Sequence, residues 1–429
     1  MKSPFIISAN ATKAEIVEHV KKIEIFTNNM FNDYIIPLSN ELYAEYSRHK
    51  NAYSLTQKTL KKTGIIDCGR VFAYKTSDNI FKRKAILPKG KNHGIVLAID
   101  NSASMAGVYH EVLANAAAIA LFCKRSSVKL KCFSFTAHVY SGDGDIRANF
   151  YKETEVIDTS IDTRISTLQE IFNEQMSLDD VRSIYYEAML FLTLPLSFKY
   201  IRREGDIITN LISLGIVENE SQLNEFLIKW HQQGTPLALA NIACLQLAEE
   251  MKLNDVEHVT IITLTDGDNN CRLSDFNRTL EMVYRNGSAT KISYNGESYT
   301  LKDYEFYENA MFKECRMKYK KYNHKSGFET GYSAQVYLVN DIISKNRHNI
   351  HQINIGDCTW MDRLYANYLK DYRKTGIFHA KGILGFTSVT CLDLLIGQES
   401  TEAMVKIRKR NVRKYFAKNV VSYVCNTYR

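Results

Sequence analysis

With 429 residues, 45% hydrophobic and 24% charged side chains, the chain has the make-up of a folded globular protein of two or three units, or one large domain with insertions, and wholesale disorder is excluded. The longest apolar runs, Ala116 to Cys123 and Ala188 to Phe198, are far shorter than the roughly 20 residues a membrane-spanning helix needs, and the first twenty residues lack the apolar core of a secretion signal. Nine scattered cysteines with no C-x-x-C pair point away from a zinc or redox site and towards reduced thiols in a cytoplasm, and the net charge of +8 leaves an acidic partner or nucleic acid to be tested against particular segments.

In chain order, EIVEHVKKIEIFTNNMF and the stretch from Leu38 to Lys62 space their apolar residues three and four apart, which predicts helices. IIDCGRVFAYK and NIFKRKAIL, separated by the turn-favouring TSDN, read as two short extended segments forming a hairpin. After Pro88, GIVLAID is a continuous apolar run suited to a strand buried on both faces of a parallel sheet. A helix from Tyr109 to Cys123, the strand VKLKCFSF, the helix ALANIACLQLAEEM, the strand VTIITL, a helix around Gln335 to Ser344 and the strand IHQINI continue an alternation typical of α/β folds.

Two interruptions break the alternation: Thr167 to Trp230, expected to be an all-helical insertion, and Phe276 to Thr330, which contains the hairpin-like SYNGESYTL. The expected architecture is therefore α/β, a doubly wound and mainly parallel sheet, with a helical N-terminal arm and a helical insertion. Residues 1–90 would form the arm and hairpin, 91–395 the sheet domain with insertions at about 150–233 and 272–333, and 396–429 a basic C-terminal helix. The basic run VKIRKRNVRKYFAK, from Val405 to Lys418, is expected to be a solvated helical face rather than a contact for nucleic acid or an acidic partner, since no recognisable nucleic-acid module accompanies it.

The residues that carry chemistry are Asp100, Ser102 and Ser104, a D-x-S-x-S motif where the strand GIVLAI ends. Such a motif arises by chance at about 3 in 10,000 positions. Its place at a strand's carboxyl end, where open α/β sheets bind their ligands, is what makes it informative. Thr235 stands in a Gly-Thr-Pro turn ahead of a helix, and Asp266 follows VTIITLT directly before Gly267. Two carboxylates and three hydroxyls make a set of hard oxygen donors, suited to Mg²⁺ or Mn²⁺ and poorly suited to Zn²⁺. Because the hydroxyls are neutral, the ion's charge stays only partly compensated, so an incoming carboxylate can complete the octahedron. Both aspartates are expected on the solvent-facing rim of the sheet. Read singly, Ser102, Ser104 and Thr235 could equally be helix caps and Asp266 a turn former.

AIDNSASM, GTPL and LTDGDNN together resemble the three metal-site loops of von Willebrand factor A (vWA) domains, and more narrowly those of the T subunit of aerobic cobaltochelatase and its tailed-phage relatives. The likeness to the phage proteins extends over KTGIIDCGRVFAYKTSDNIFKRKAILPKGKNHGIVLAIDNSASM, and in all it covers roughly Leu38 to Asn270. Where those relatives carry D-W-S-G-S-M, Asn101 and Ala103 replace Trp and Gly, neither of which supplies a metal-ligating side chain.

The resemblance implies that Asp100, Ser102, Ser104, Thr235 and Asp266 are the ligands of a metal-ion-dependent adhesion site (MIDAS), either aspartate acting directly or through water. It also implies a MoxR-type AAA+ ATPase as protein partner and a phage-infected bacterial cytoplasm as the setting. The chain itself has no G-x-x-x-x-G-K-[ST] loop, H-E-x-x-H helix or G-x-S-x-G elbow, so an adaptor without catalysis of its own is expected. A virion adhesion protein and a chelatase or hydrolase subunit stand as the alternatives.

Overall fold

The computed structural model describes residues 7, 11–56, 59–60, 66–76, 85–86, 92–137, 166–193, 205–230, 235–254, 256–265, 281–285, 288–294, 297–300, 331–355, 377–381, 386–392 and 402–425. Helix α1 (Lys13–Met30) starts at a capping box, in which Thr12 Oγ1 accepts from the Glu15 amide while the Glu15 carboxylate accepts from the Thr12 amide at 2.7 Å. It runs through a π-helical turn, Phe31–Ile35, into α2 (Ile36–Thr56). Pro37 has no amide to offer the carbonyl four residues earlier, that of Asp33, and the Arg413 guanidinium reaches that oxygen instead, at 3.4 Å.

Strands β1 (Thr59–Leu60) and β2 (Ala85–Ile86) pair antiparallel. Between them, residues 66–76 form turns and a 3₁₀ turn at Val71–Ala73 where an extended segment was expected. Local bonds explain the difference: the Gly69 amide donates to the Asp67 carboxylate at 3.1 Å and the Arg70 amide to the Asp67 carbonyl at 2.8 Å, folding the backbone back on itself. Of NIFKRKAIL, only Ala85 and Ile86 fall within the described residues.

The central part of the chain runs β3 (His93–Asp100), α3 (Tyr109–Ser126), β4 (Lys129–Ala137), β5 (Ser166–Asn173), α4 (Leu178–Thr193), α5 (Gly205–Ser213), α6 (Glu220–Trp230), α7 (Leu237–Leu253) and β6 (His258–Thr265). A separate three-stranded antiparallel sheet follows, β7 (Glu281–Arg285), β8 (Ser288–Tyr294) and β9 (Glu297–Thr300), with Tyr294 opposite Glu297 as SYNGESYTL suggested. The chain then continues through α8 (Gly331–Lys345), β10 (Asn349–Ile355), β11 (Ile377–Lys381), β12 (Ser388–Leu392) and α9 (Glu402–Cys425).

The main sheet has the order β11-β12-β10-β6-β3-β4-β5; its five middle strands are parallel and each edge strand is antiparallel. The protein is thus α/β with a mostly parallel sheet, and helices cover both faces. Thr260 of β6 donates to the Tyr423 carbonyl of α9, whereas Thr263, three residues on and so on the opposite face, donates to Asn241 of α7. After β3 the chain adds β4 on one side and later returns to lay β6 on the other. The strand order therefore reverses between β3 and β6, and a crevice opens at the carboxyl ends of those two strands.

The helices of the N-terminal arm pack into the main apolar cluster. Ile16, Ile23, Phe31, Ile35, Leu38 and Leu42 are fully buried in the same apolar cluster as Ile95, Leu97 and Ile99 of β3. Helix α3 lies in the middle of that cluster, and every residue from Tyr109 to Ala120 is buried. The C-terminal helix also enters it, through Val412, Phe416, Val420, Val421 and Val424. Arg413 on that helix donates to Glu41 of α2 from Nη2 at 2.7 Å and from Nε at 3.1 Å. The insertion expected to be all-helical keeps its helices in α4, α5 and α6 but begins with β5, paired antiparallel to β4. Among the described residues no helix is long and apolar enough to cross a membrane.

Candidate metal centre

The β3 ladder delivers Asp100 to the crevice. Its neighbours in register are Phe135 on β4 and, one step beyond the Ile99–Leu264 pair, Thr265 on β6. The Asn101 amide still donates to the Phe135 carbonyl at 2.9 Å, so the backbone leaves the sheet only after the motif has begun. The Asp100 side chain is fully buried, where the rim of the sheet was expected. Its Oδ2 accepts a hydrogen bond of 2.5 Å from Thr265 Oγ1, and Thr265 is itself fully buried. A carboxylate held this deep keeps its charge only with hydrogen bonds or a cation close by.

Ser102 is buried and Ser104 exposed, on a 3₁₀ turn covering Ala103–Gly107. Their hydroxyl oxygens lie 3.0 Å apart. The cap reading of these serines fails: Ser102 begins the 3₁₀ turn without capping it through its side chain, and α3 starts after Val108, again with no side-chain cap. This contact is a hydrogen bond between the two hydroxyls, and the same spacing is open to two ligands of one cation. Two neighbouring ligands of an octahedral Mg²⁺, each at about 2.0–2.1 Å, stand about 2.8–3.0 Å apart.

Thr235 is buried directly before Pro236, the N-cap of α7, which likewise carries no side-chain cap bond. The far end of α7 sits at the start of β3, where a Cβ at Gly94 would come within 2.6 Å of Met251 Cε. At 17 residues α7 is about 25 Å long, close to the length of β3, so its beginning lies at the same edge of the sheet as Asp100. The bond from Thr263 to Asn241, four residues into α7, points the same way. Asp266 lies outside the described residues, one position past the end of β6.

Among the described residues no trio of His, Cys, Asp or Glu side chains is placed to hold a metal ion, and the candidate centre is not of that kind. It contributes one described carboxylate and three hydroxyls, donors for a hard cation. Sequence reasoning missed Thr265. The signal was present in VTIITLTD, whose last strand residue shares a sheet face with Thr263 and must lie beside the last residue of β3 once the two strands are parallel neighbours.

No known protein-family profile matches the chain, and no curated protein does. Among solved structures, it is similar to the pilus adhesin SpaC from Lactobacillus rhamnosus GG, with a TM-score of 0.34 and 12% identity over 77% of this chain and 31% of the adhesin. The open conformation of the same adhesin gives a TM-score of 0.33 and 14% identity over the same shares. The alignment spans less than a third of the adhesin's length, and a likeness this slight carries no argument about fold or function.

Proposed function

We propose that this chain is a vWA-type protein that holds Mg²⁺ or Mn²⁺ in a MIDAS and grips a partner protein through it. The observation that carries the reading is the Ser102–Ser104 hydroxyl pair, spaced at 3.0 Å like adjacent ligands of one octahedral ion and used by neither helix as a cap. Asp100, Ser102, Ser104, Thr235 and Asp266 would hold the ion, which when bound supplies positive charge for a partner's Asp or Glu. The chain's own part is to bring the two serines and Asp100 together on a loop fixed to the middle of the sheet. The resemblance to cobaltochelatase T subunits supports a MoxR-type AAA+ ATPase as the partner and a phage-infected cytoplasm as the place of action.

The experiment compares purified protein in millimolar Mg²⁺ or Mn²⁺ with protein in EDTA, since an ion bound only by the native state raises the melting temperature. Ser104→Ala shrinks that rise while leaving the EDTA melt as it was, because Ser104 is exposed. Ile99→Ala, in the fully buried run of β3, does the reverse, costing about 2–5 kcal/mol in EDTA and preserving the metal-dependent increment. A wild-type melt indifferent to both ions would end the metal reading.

A further inference from the structure

We infer that Thr265 is a positioning residue that makes the centre select Mg²⁺ or Mn²⁺ over Ca²⁺, by holding the Asp100 carboxylate so that it offers the ion a single oxygen. The inference rests on the metal reading proposed above and deepens it. Three observations carry it. The Thr265 hydroxyl sits on Asp100 Oδ2 at 2.5 Å, the distance of a charge-assisted bond from a hydroxyl to a carboxylate. Both side chains are fully buried, so no bulk water competes for that oxygen. Both stand at the ends of adjacent strands, held by the register that sets Ile99 beside Leu264 on one side and by the Asn101 amide bond to Phe135 on the other. Neither backbone can swing to free Oδ2 without breaking a ladder.

The consequence follows from what the two ions ask for. Ca²⁺ takes six to eight oxygens in loose geometry and often binds a carboxylate through both of its oxygens. Mg²⁺ demands an octahedron and takes carboxylate oxygens singly, keeping water in the remaining places. An aspartate whose Oδ2 is oriented and partly neutralised by a threonine presents Oδ1, to the ion or to a water on it, more readily than both oxygens together, so chelation is disfavoured. The serine pair, spaced like one edge of the smaller ion's octahedron, reinforces the same choice.

The test uses the full chain stripped with EDTA and titrated by calorimetry with MgCl₂ and with CaCl₂, comparing wild type, Thr265→Val and Thr265→Ser. Valine keeps the shape and removes the donor; serine keeps the donor. Losing a hydrogen bond that orients a metal-binding carboxylate costs about 10–100-fold in metal affinity. For Thr265→Val the loss is expected to fall on Mg²⁺, narrowing the ratio of Mg²⁺ to Ca²⁺ affinity by about tenfold or more, while Thr265→Ser keeps the wild-type ratio. A urea melt in EDTA checks the fold of each variant, and Thr265→Ala carries the same comparison where the valine form does not fold. Unchanged ratios in the donor-less variants, with wild type binding Mg²⁺, overturn the role of Thr265 and leave the metal reading intact. Wild type that binds neither ion overturns the metal reading itself, and this inference with it.

Discussion

Arg413 and Glu41, 372 positions apart in the chain, are joined by two hydrogen bonds from one guanidinium to the same carboxylate oxygen. A third bond from that guanidinium runs to the Asp33 carbonyl, at the π-helical turn where Pro37 interrupts the amide ladder. Both side chains are about three-quarters buried, at 20% and 26% exposure. The pair therefore lies between the surface regime, worth little, and the buried regime, where removing one partner is costly.

Arg413→Ala is accordingly expected to lower the urea stability by about 1–3 kcal/mol. Arg413→Lys should recover only part of that, since an ammonium cannot span Glu41 and the Asp33 carbonyl in one plane as the guanidinium does. Equilibrium urea melts of the three proteins decide the matter. An alanine variant as stable as wild type would mean that apolar packing of α9 against α2 holds the two helices without the clamp.

His351 sets a pH limit. Its ring lies flat on Tyr423 of α9 at 3.8 Å, with Nδ1 at 2.8 Å from the Ser388 hydroxyl, and burial, aided by His379, pushes its pKa down to about 3. His110 behaves alike, pushed down to about 4 chiefly by burial. The native state keeps both rings neutral while the unfolded chain takes up protons below about pH 6.5, so the stabilisation is complete above that pH and is lost as the pH falls towards the folded values. For His351→Phe, which preserves the stack and cannot titrate, the stability lost between pH 7 and pH 5 should be smaller than in wild type by about 2 kcal/mol. Equal losses in the two proteins would show that another group governs the acid limb.

Thiol chemistry probes the same core without a mutation. Of the five cysteines whose thiols are described, Cys68 is exposed in the turn after β1, while Cys123, Cys132, Cys244 and Cys425 are buried. Burial raises the pKa of all four, Cys244 and Cys425 to about 12, so little nucleophilic thiolate is present at neutral pH. A brief treatment of native protein with iodoacetamide should modify Cys68 and spare those four, and the same treatment in urea should modify all five, read by peptide mass spectrometry. Rapid native labelling of Cys123 or Cys132 would contradict the packing of α3 against β4.

Much of this architecture was legible in the sequence, and the exceptions have physical causes. Strand β3 announces itself because a strand buried on both faces carries a near-continuous apolar run, β6 and β10 because β-branched Val, Ile and Thr recur through them, and α3 because small and apolar residues dominate it. Strand β5 is hidden because STLQEIFN places Leu168, Ile171 and Phe172 at helix-like intervals, and an edge strand held by β4 alone needs no strict alternation. Strands β11 and β12 are five residues each and carry His379, Ser388 and Thr390, whose polar side chains find hydrogen-bond partners only in the folded sheet. At the site, Asp100, Ser102 and Ser104 could be named from one short motif. Thr265 could be read from VTIITLTD only with the further knowledge that its strand becomes the parallel neighbour of β3, a long-range pairing.

Strand β3 also has a mechanical meaning. It is bonded to β4 from Gly94 to Asp100 and to β6 from His93 to Ile99, with all three strands parallel, and the serine loop is tethered to its end. A pull on that loop along the strand axis therefore loads both rows of hydrogen bonds together, in shear, so that they must fail as a group. The same pull on β5, bonded along one side only, would be resisted by a single row. A load taken up at the serine loop would therefore be met where the sheet resists tension best.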